Sequence, residues 1–213
     1  MDSTALLNYF RAQVMDDVAP YLWSTVECIT YMNEAQLMFC RLTDGIADAS
    51  TTAVCTVPVV TGEIFAPVHP SIKHYRLATL ASGGTELQIR NHTDIHKWTN
   101  QQGRITRMII GLQQELVRWD YAPMVDDEVN LIVFRLPLED ITDVDQEIEI
   151  PPKHHVSLVH WMKHLAYMKQ DSQTYDAQTA EKAKRDFELY CAKVQTEAEF
   201  QKHAPVAVLY GGI

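Results

Sequence analysis

Apolar positions follow two periodicities along this chain, and the switch between them separates helical ends from an extended middle. Near the N-terminus, Leu7, Phe10 and Val14 recur three and four residues apart. That is one stripe of a short amphipathic helix ending near Ala19-Pro20. From about Trp23 to Leu42, Cys28, Met32, Ala35, Phe39 and Leu42 keep a 4-3-4-3 spacing. Asp44-Gly45 stops this second helix, because glycine accepts the left-handed cap that many helix ends need.

Residues 50 to 137 change character. Thr51 to Val57 is β-branched and roughly alternating, which predicts a strand. Arg76–Leu80 and Glu86–Arg90 flank Ser82-Gly83-Gly84, a hairpin signal. Met108–Ile110 and Glu115–Trp119 read as further strands, with Gly111 in their connection. Val129 to Leu136 is the most apolar strand and ends at Pro137. Asp126-Asp127-Glu128 reads as a charged turn, and a short helix is expected around His92 to Trp98. Five to seven strands result, enough for a small sandwich or barrel-like module.

The last third returns to helical spacing. Ile148-Glu149-Ile150 reads as an apolar strand running into Pro151-Pro152. Two prolines suit a helix start, where backbone N–H groups lack intrahelical partners anyway. In the third helix Val156, Val159, Met162 and Ala166 share a side, broadened by Leu158 and Leu165. After a polar break at 170–175, Ala180, Ala183, Phe187, Tyr190 and Val194 give the cleanest stripe in the chain, with Asp176 as N-cap. The expected fold is α+β: a four-helix antiparallel bundle with a β-rich module inserted between the two helical pairs. Residues 1–48 and 148–199 form the bundle, 49–147 the module, and 200–213 an extended C-terminal arm.

Charge and chemistry narrow the function. A net charge of −10 argues against sequence-independent binding of nucleic acid, which needs Lys and Arg against phosphates. The four cysteines are scattered without a C-x-x-C, and Cys28, Cys40 and Cys191 fall in apolar helical settings, so reduced buried thiols are expected. The first thirty residues lack a basic start, and no apolar run approaches the ~18–20 residues that span a bilayer. A soluble protein made in the cytoplasm is expected.

Among nine histidines, His160 and His164 have a metal-compatible spacing. Trp161, Met162 and Lys163 stand between them, so the glutamate base of H-E-x-x-H is missing and no third ligand is indicated. There is no G-x-S-x-G elbow and no phosphate loop. No metal, no cofactor and no catalytic residue are expected; a metal-dependent enzyme using His160 and His164 is the remote alternative. The arm is the candidate binding element. Pro205-Val206-Ala207-Val208-Leu209-Tyr210 is apolar and β-prone, suited to adding a strand to another subunit or filling a groove.

Two segments carry a family resemblance. Met32-Asn33-Glu34-Ala35-Gln36 lies in the helix before the β-rich block, and Ile148-Glu149-Ile150-Pro151-Pro152-Lys153-His154-His155 leads into helix, polar break and helix. In that layout the chain resembles the head-to-tail adaptor (connector) proteins of tailed bacteriophages, particularly short-tailed ones. It departs from them at Lys153, Trp161 and Met162.

The resemblance implies a virion structural protein, not an enzyme. It implies a ring of twelve copies under the portal, built after packaging, that extends the DNA channel and carries the tail nozzle or next tail component. DNA would pass through the lumen without specific binding, and no membrane is involved. The helical bundle would form the ring wall, and the β-rich module would take tail-side and neighbour contacts. The arm would reach the portal through Pro205, Val206, Val208, Leu209, Tyr210 and Ile213. A tail-completion or tail-terminator protein bound to the tail tube is the alternative.

Overall fold

The computed structural model describes residues 1–94, 99–170 and 173–202, with residues 201 and 202 described by backbone alone. Among them are five α-helices: α1 (Ser3–Gln13), α2 (Thr25–Leu42), α3 (Thr52–Cys55), α4 (His155–Met168) and α5 (Ala177–Lys202). The strands are β1 (Ile46–Asp48), β2 (Thr56–Val59), β3 (Phe65–Pro67), β4 (Ile72–Leu80), β5 (Gln88–Asn91), β6 (Gln102–Gly103), β7 (Arg107–Gln113), β8 (Leu116–Trp119), β9 (Ala122–Pro123) and β10 (Asp127–Arg135). The fold is mixed α+β. Its described residues divide into two compact units, Asp44–Leu138 and the residues on either side of it.

In the helical unit α4 touches α1, α2 and α5. Leu158, Met162 and Ala166 of α4 are fully buried. Trp23, just before α2, links three elements. Its indole Nε1 donates to the Ala166 carbonyl at 3.3 Å, and its ring meets Phe10 of α1 and Tyr167 of α4 edge-on. Trp161 packs on Phe187 of α5 with centroids 5.3 Å apart. Burying side chains of this size contributes about 1.5–3 kcal/mol each, which makes these contacts the main support of the unit.

Helix ends follow local chemistry. Ser24 and Glu27 form a reciprocal capping box at the start of α2. Asp176 caps α5 as expected, accepting from the backbone N–H of Gln178 and Thr179. The double proline opens a 3₁₀ turn, Pro152–His154, that runs directly into α4. The helix α5 continues through Lys202, into the stretch expected as arm.

Three expectations for this unit need correction. The helix α1 stops at Gln13, not near Ala19-Pro20, because Met15 takes a left-handed φ of 57° and closes a Schellman motif. In it Asp16 N–H donates to Arg11 O and Met15 N–H to Ala12 O. Val156, assigned to the apolar stripe of α4, is exposed. Ile148–Ile150 is not a strand. Its isoleucines are buried, but the whole segment 139–150 is an irregular strap held by side chains. Asn33 clamps Ile141 through both its amide N–H group and its carbonyl, and Ser3 and Thr4 donate to Gln146 O and Val144 O.

In the β unit, β10 pairs antiparallel with β4 along one edge and with β1 and then β2 along the other. A second sheet has the order β3-β8-β7-β5, with β5 parallel to β7, and β6 and β9 make a short parallel pair. Val57, Ala78, Val129 and Leu131 from the first sheet share one core with Ala66, Met108, Val117 and Trp119 from the second. The described strands number ten, above the expected five to seven, because several are only two or three residues long.

The strand expected at Thr51–Val57 is interrupted. Residues 52–55 form the single helical turn α3, and only the remainder continues as β2. The cause is Asp48. Its Oδ1 accepts from Ser50 and Thr51 N–H, which bends the chain into the turn, while Oδ2 pairs with Arg135 Nε at 2.6 Å. Ser82-Gly83-Gly84 does turn between antiparallel segments, bridged at Thr79 and Glu86, before β5 leaves for the second sheet. Of the helix expected around His92–Trp98, a 3₁₀ turn His92–Asp94 is seen; His96 and Trp98 lie outside the described residues.

Candidate functional site

His154, His155 and His164 are committed to packing and hydrogen bonds within the helical unit. His154 Nδ1 lies 2.9 Å from the Tyr190 hydroxyl, and its ring tilts against Phe39. Burial, and then the charge of Lys153, pull its pKa below the ordinary value. His155 Nε2 bonds the Ile150 carbonyl, and His164 Nδ1 lies 3.1 Å from Ala180 O while its ring leans on Trp161. Burial also lowers the pKa of His160. His160 and His164 belong to no group of three or more metal-ligating side chains among the described residues.

All four cysteines are buried free thiols. Burial pushes Cys28 up to about 11 and Cys191 up to about 12, which leaves them protonated and unreactive near neutrality. The acidic pair Asp126 and Asp127 shows the opposite of catalytic tuning. Hydrogen bonds from Thr61 lower the pKa of Asp126, and those from Ser82 lower that of Asp127.

Two surfaces stand out instead. The first is the connection between α1 and α2, a prow on the helical unit. Met15 is 90% exposed and Val18 75%, with Tyr21 and Leu22 also open and Val26 exposed beside them in the first turn of α2. This apolar surface rests on a buried ion pair. Arg11 Nη1 lies 3.0 Å from Asp16 Oδ2, both side chains being almost wholly buried. Asp16 also accepts from the N–H groups of Leu22 and Trp23, and the Arg11 guanidinium lies over the Tyr21 ring at 3.7 Å. Local sequence puts Asp16 at the end of a Schellman motif, where its carboxylate can gather the returning chain. The exposed apolar groups are therefore held on a rigid base.

The second surface is a cleft in the β unit of about 300 Å³, between the Ser82–Thr85 turn, Gly103–Ile105 and Pro123–Val125. Val59, Leu80 and Ile105 line it, with Met124 and Val125 exposed at its rim. Glycine is required at 103, because a Cβ there would meet the Tyr121 ring at 2.9 Å. Arg104 lines the cleft and donates to Thr85 Oγ1 at 3.1 Å. A neighbouring polar hollow of about 270 Å³ contains Arg118, which is buried and donates to Thr99 O, Asn100 Oδ1 and Trp119 O.

The residues assigned to portal binding, Pro205, Val206, Val208, Leu209, Tyr210 and Ile213, lie outside the described residues. Sequence reasoning missed both the prow and the cleft. For the prow a signal existed: Met15, Val18, Tyr21 and Leu22 are apolar between two helices, without the spacing that would bury them. The cleft had none, since it gathers three segments far apart in sequence.

The two units and their open apolar surfaces define an α+β protein with the features of an interaction scaffold. No helix among the described residues is long and apolar enough to cross a membrane. Residues 1–209 match the family model described as SU10 adaptor protein, and the chain belongs to that family. It is a family of phage structural adaptors. No curated protein matches the chain. In the family's terms the two quoted segments gain a physical role. Asn33 clamps the returning strap, Ala35 is buried in the core of the helical unit, and the double proline launches α4.

Proposed function

We propose that this protein is a head-to-tail adaptor of the short-tailed phage type, a ring of twelve copies docked under the portal. The ring extends the DNA channel and carries the tail nozzle or next tail component. The match of residues 1–209 to the adaptor family is the observation that carries this reading. The net charge of −10 supports it, since an acidic lumen repels the phosphate backbone and leaves DNA free to slide.

In this reading α1, α2, α4 and α5 form an antiparallel bundle that makes the ring wall. The β unit takes tail-side and neighbour contacts. The C-terminal arm, with Pro205, Val206, Val208, Leu209, Tyr210 and Ile213, reaches the portal and is captured there. The protein acts as a virion component and performs no catalysis.

The test is to mix the protein with the portal of the same phage and image the particles by negative stain, with light scattering for mass. Full-length chain and a version ending at Glu199 are compared. A ring on the portal that is lost on truncation is the expected result. A ring that persists moves the contact from the arm to the helical body. Failure to bind the portal, with binding to the tail tube instead, would replace the adaptor reading with a tail-completion role.

A further inference from the structure

We propose that the prow of one copy seats in the apolar cleft of the β unit of the next copy, with Asp17 meeting Arg104. The proposal rests on the ring reading and names the surfaces that build the ring. The occupant is a second copy of this chain for three reasons.

The first is chemistry. Both surfaces are apolar and open, the prow through Met15 and Val18 and the cleft through Ile105, Met124 and Val125. Each would otherwise hold apolar area against water, a cost that association removes at ~25 cal/mol per Å². The cleft, about 300 Å³, is at the small end of the ~300–1,000 Å³ typical of ligand pockets, which suits one or two side chains of a protruding loop.

The second is charge. Asp17 is exposed on the prow between Met15 and Val18, whereas its neighbour Asp16 is buried against Arg11. Arg104 lines the cleft with a hydroxyl as its hydrogen-bond acceptor and, among the described residues, no carboxylate in ion-pair range. Asp127 also lines the cleft, but its carboxylate accepts from the Ser82 hydroxyl and from the Ser82 and Glu128 N–H groups, which leaves Arg104 as the cleft charge that an incoming carboxylate can meet. Such pairs fix register and steer encounter more than they add affinity.

The third is preorganisation and symmetry. The Asp16 carboxylate fastens Leu22 and Trp23, and Met15 is set by its left-handed backbone, so the prow loses little freedom on docking. A convex surface and a concave one at different places on the same chain give a heterologous contact. Repeated by a rotation that closes, such a contact builds a ring, which an isologous two-fold contact cannot do.

Disulfide trapping tests the seat. Val18→Cys and Met124→Cys replace exposed side chains, and the four native thiols are buried, so only the introduced pair should react. The two single-cysteine proteins are mixed under copper–phenanthroline oxidation, with and without portal. A covalent dimer from the mixture, in excess over either protein alone, is the expected result. The double variant on the portal should give a ladder of multiples. Asp17→Arg or Arg104→Glu should each cut the cross-link by about tenfold, and the two together should restore it.

A Val18→Cys protein that cross-links equally well to itself, or to a Leu189→Cys control, overturns the proposal. So does a double variant that forms only an internal bridge. Portal binding is scored separately by imaging. Rings on the portal without the cross-link sink the seat and leave the adaptor reading standing. A specific cross-link without portal binding keeps the seat and sinks that reading.

Discussion

Replacing Asp48 by asparagine should destabilise the β unit more than any surface change, because it removes the carboxylate that pairs with the buried Arg135 guanidinium. The two side chains are 5% and 9% exposed and meet at 2.6 Å. Asparagine keeps an acceptor for the N–H groups of Ser50 and Thr51, so the change isolates the charge. Breaking a buried pair in this way costs ~3–5 kcal/mol. With a urea m-value of about 2 kcal/mol/M, the midpoint should fall by about 1.5–2.5 M. Asp48→Ala also removes the side-chain acceptor of the Ser50 and Thr51 N–H groups and should cost about 1–2 kcal/mol more.

The pH dependence has a definite sign. Burial pushes the Asp48 carboxyl up. The hydrogen bonds from Ser50, Arg135 and Thr51 outweigh burial and hold it well below the ordinary carboxylate range. A depressed carboxylate stabilises the fold above its unfolded pKa, ~3.9, and loses that contribution as pH falls toward its folded value. The wild type should therefore weaken in strong acid, and Asp48→Asn should lack that component. The assay is urea unfolding followed by the ¹⁹F signal of 5-fluorotryptophan at Trp119, which sits in the core of the β unit. A loss below about 1 kcal/mol would refute the reasoning. So would an Asp48→Leu/Arg135→Met double variant no more stable than Asp48→Asn, since a well-packed apolar pair should recover most of the loss.

Two further outcomes follow from the helical unit. Ser24→Ala removes one half of the capping box of α2 and should cost ~1 kcal/mol in thermal or urea unfolding. The Lys169 ammonium, and then Ser24, hold Glu27 at about 2, so its contribution should be complete above its unfolded pKa and fade as pH falls toward 2. The native protein should resist modification by a thiol reagent at pH 8 and expose four reactive cysteines only on unfolding, as read by mass spectrometry. Rapid labelling of Cys28 or Cys191 in the folded state would contradict their burial.

Elements whose partners are near in sequence or whose period is strong could be read from the chain. The stripe of α5, the Asp176 cap, the β7–β8 hairpin and the double proline before α4 are of this kind, although Gly111, expected in the hairpin connection, lies inside β7 and the turn falls at Gln114-Glu115. The failures have long-range causes. Thr51–Val57 is β-prone by composition, yet Asp48, anchored by Arg135 far along the chain, imposes a helical turn there. Ile148 and Ile150 alternate like a strand but find buried sites in a strap pinned by Asn33, Ser3 and Thr4. The parallel pairing of β5 with β7 has no local signature. The prow escaped notice because its apolar residues follow neither period. They face outward on a base that Arg11 and Asp16 bury.

The pairing of β1 with β10 has an architectural consequence. Ile46 lies opposite Arg135 and Asp48 opposite Val133, so the chain enters and leaves the β unit on adjacent strands, about 4.5–5.5 Å apart. Gly45 reinforces this closeness, since a Cβ there would lie 2.7 Å from Arg135 O. A unit whose two ends meet in this way behaves as a cassette. To the flanking chain, residues 44–138 have the end-to-end span of a short loop. Grafting another domain, or a tight turn, at that junction is thus open to engineering and to recombination between phage genomes.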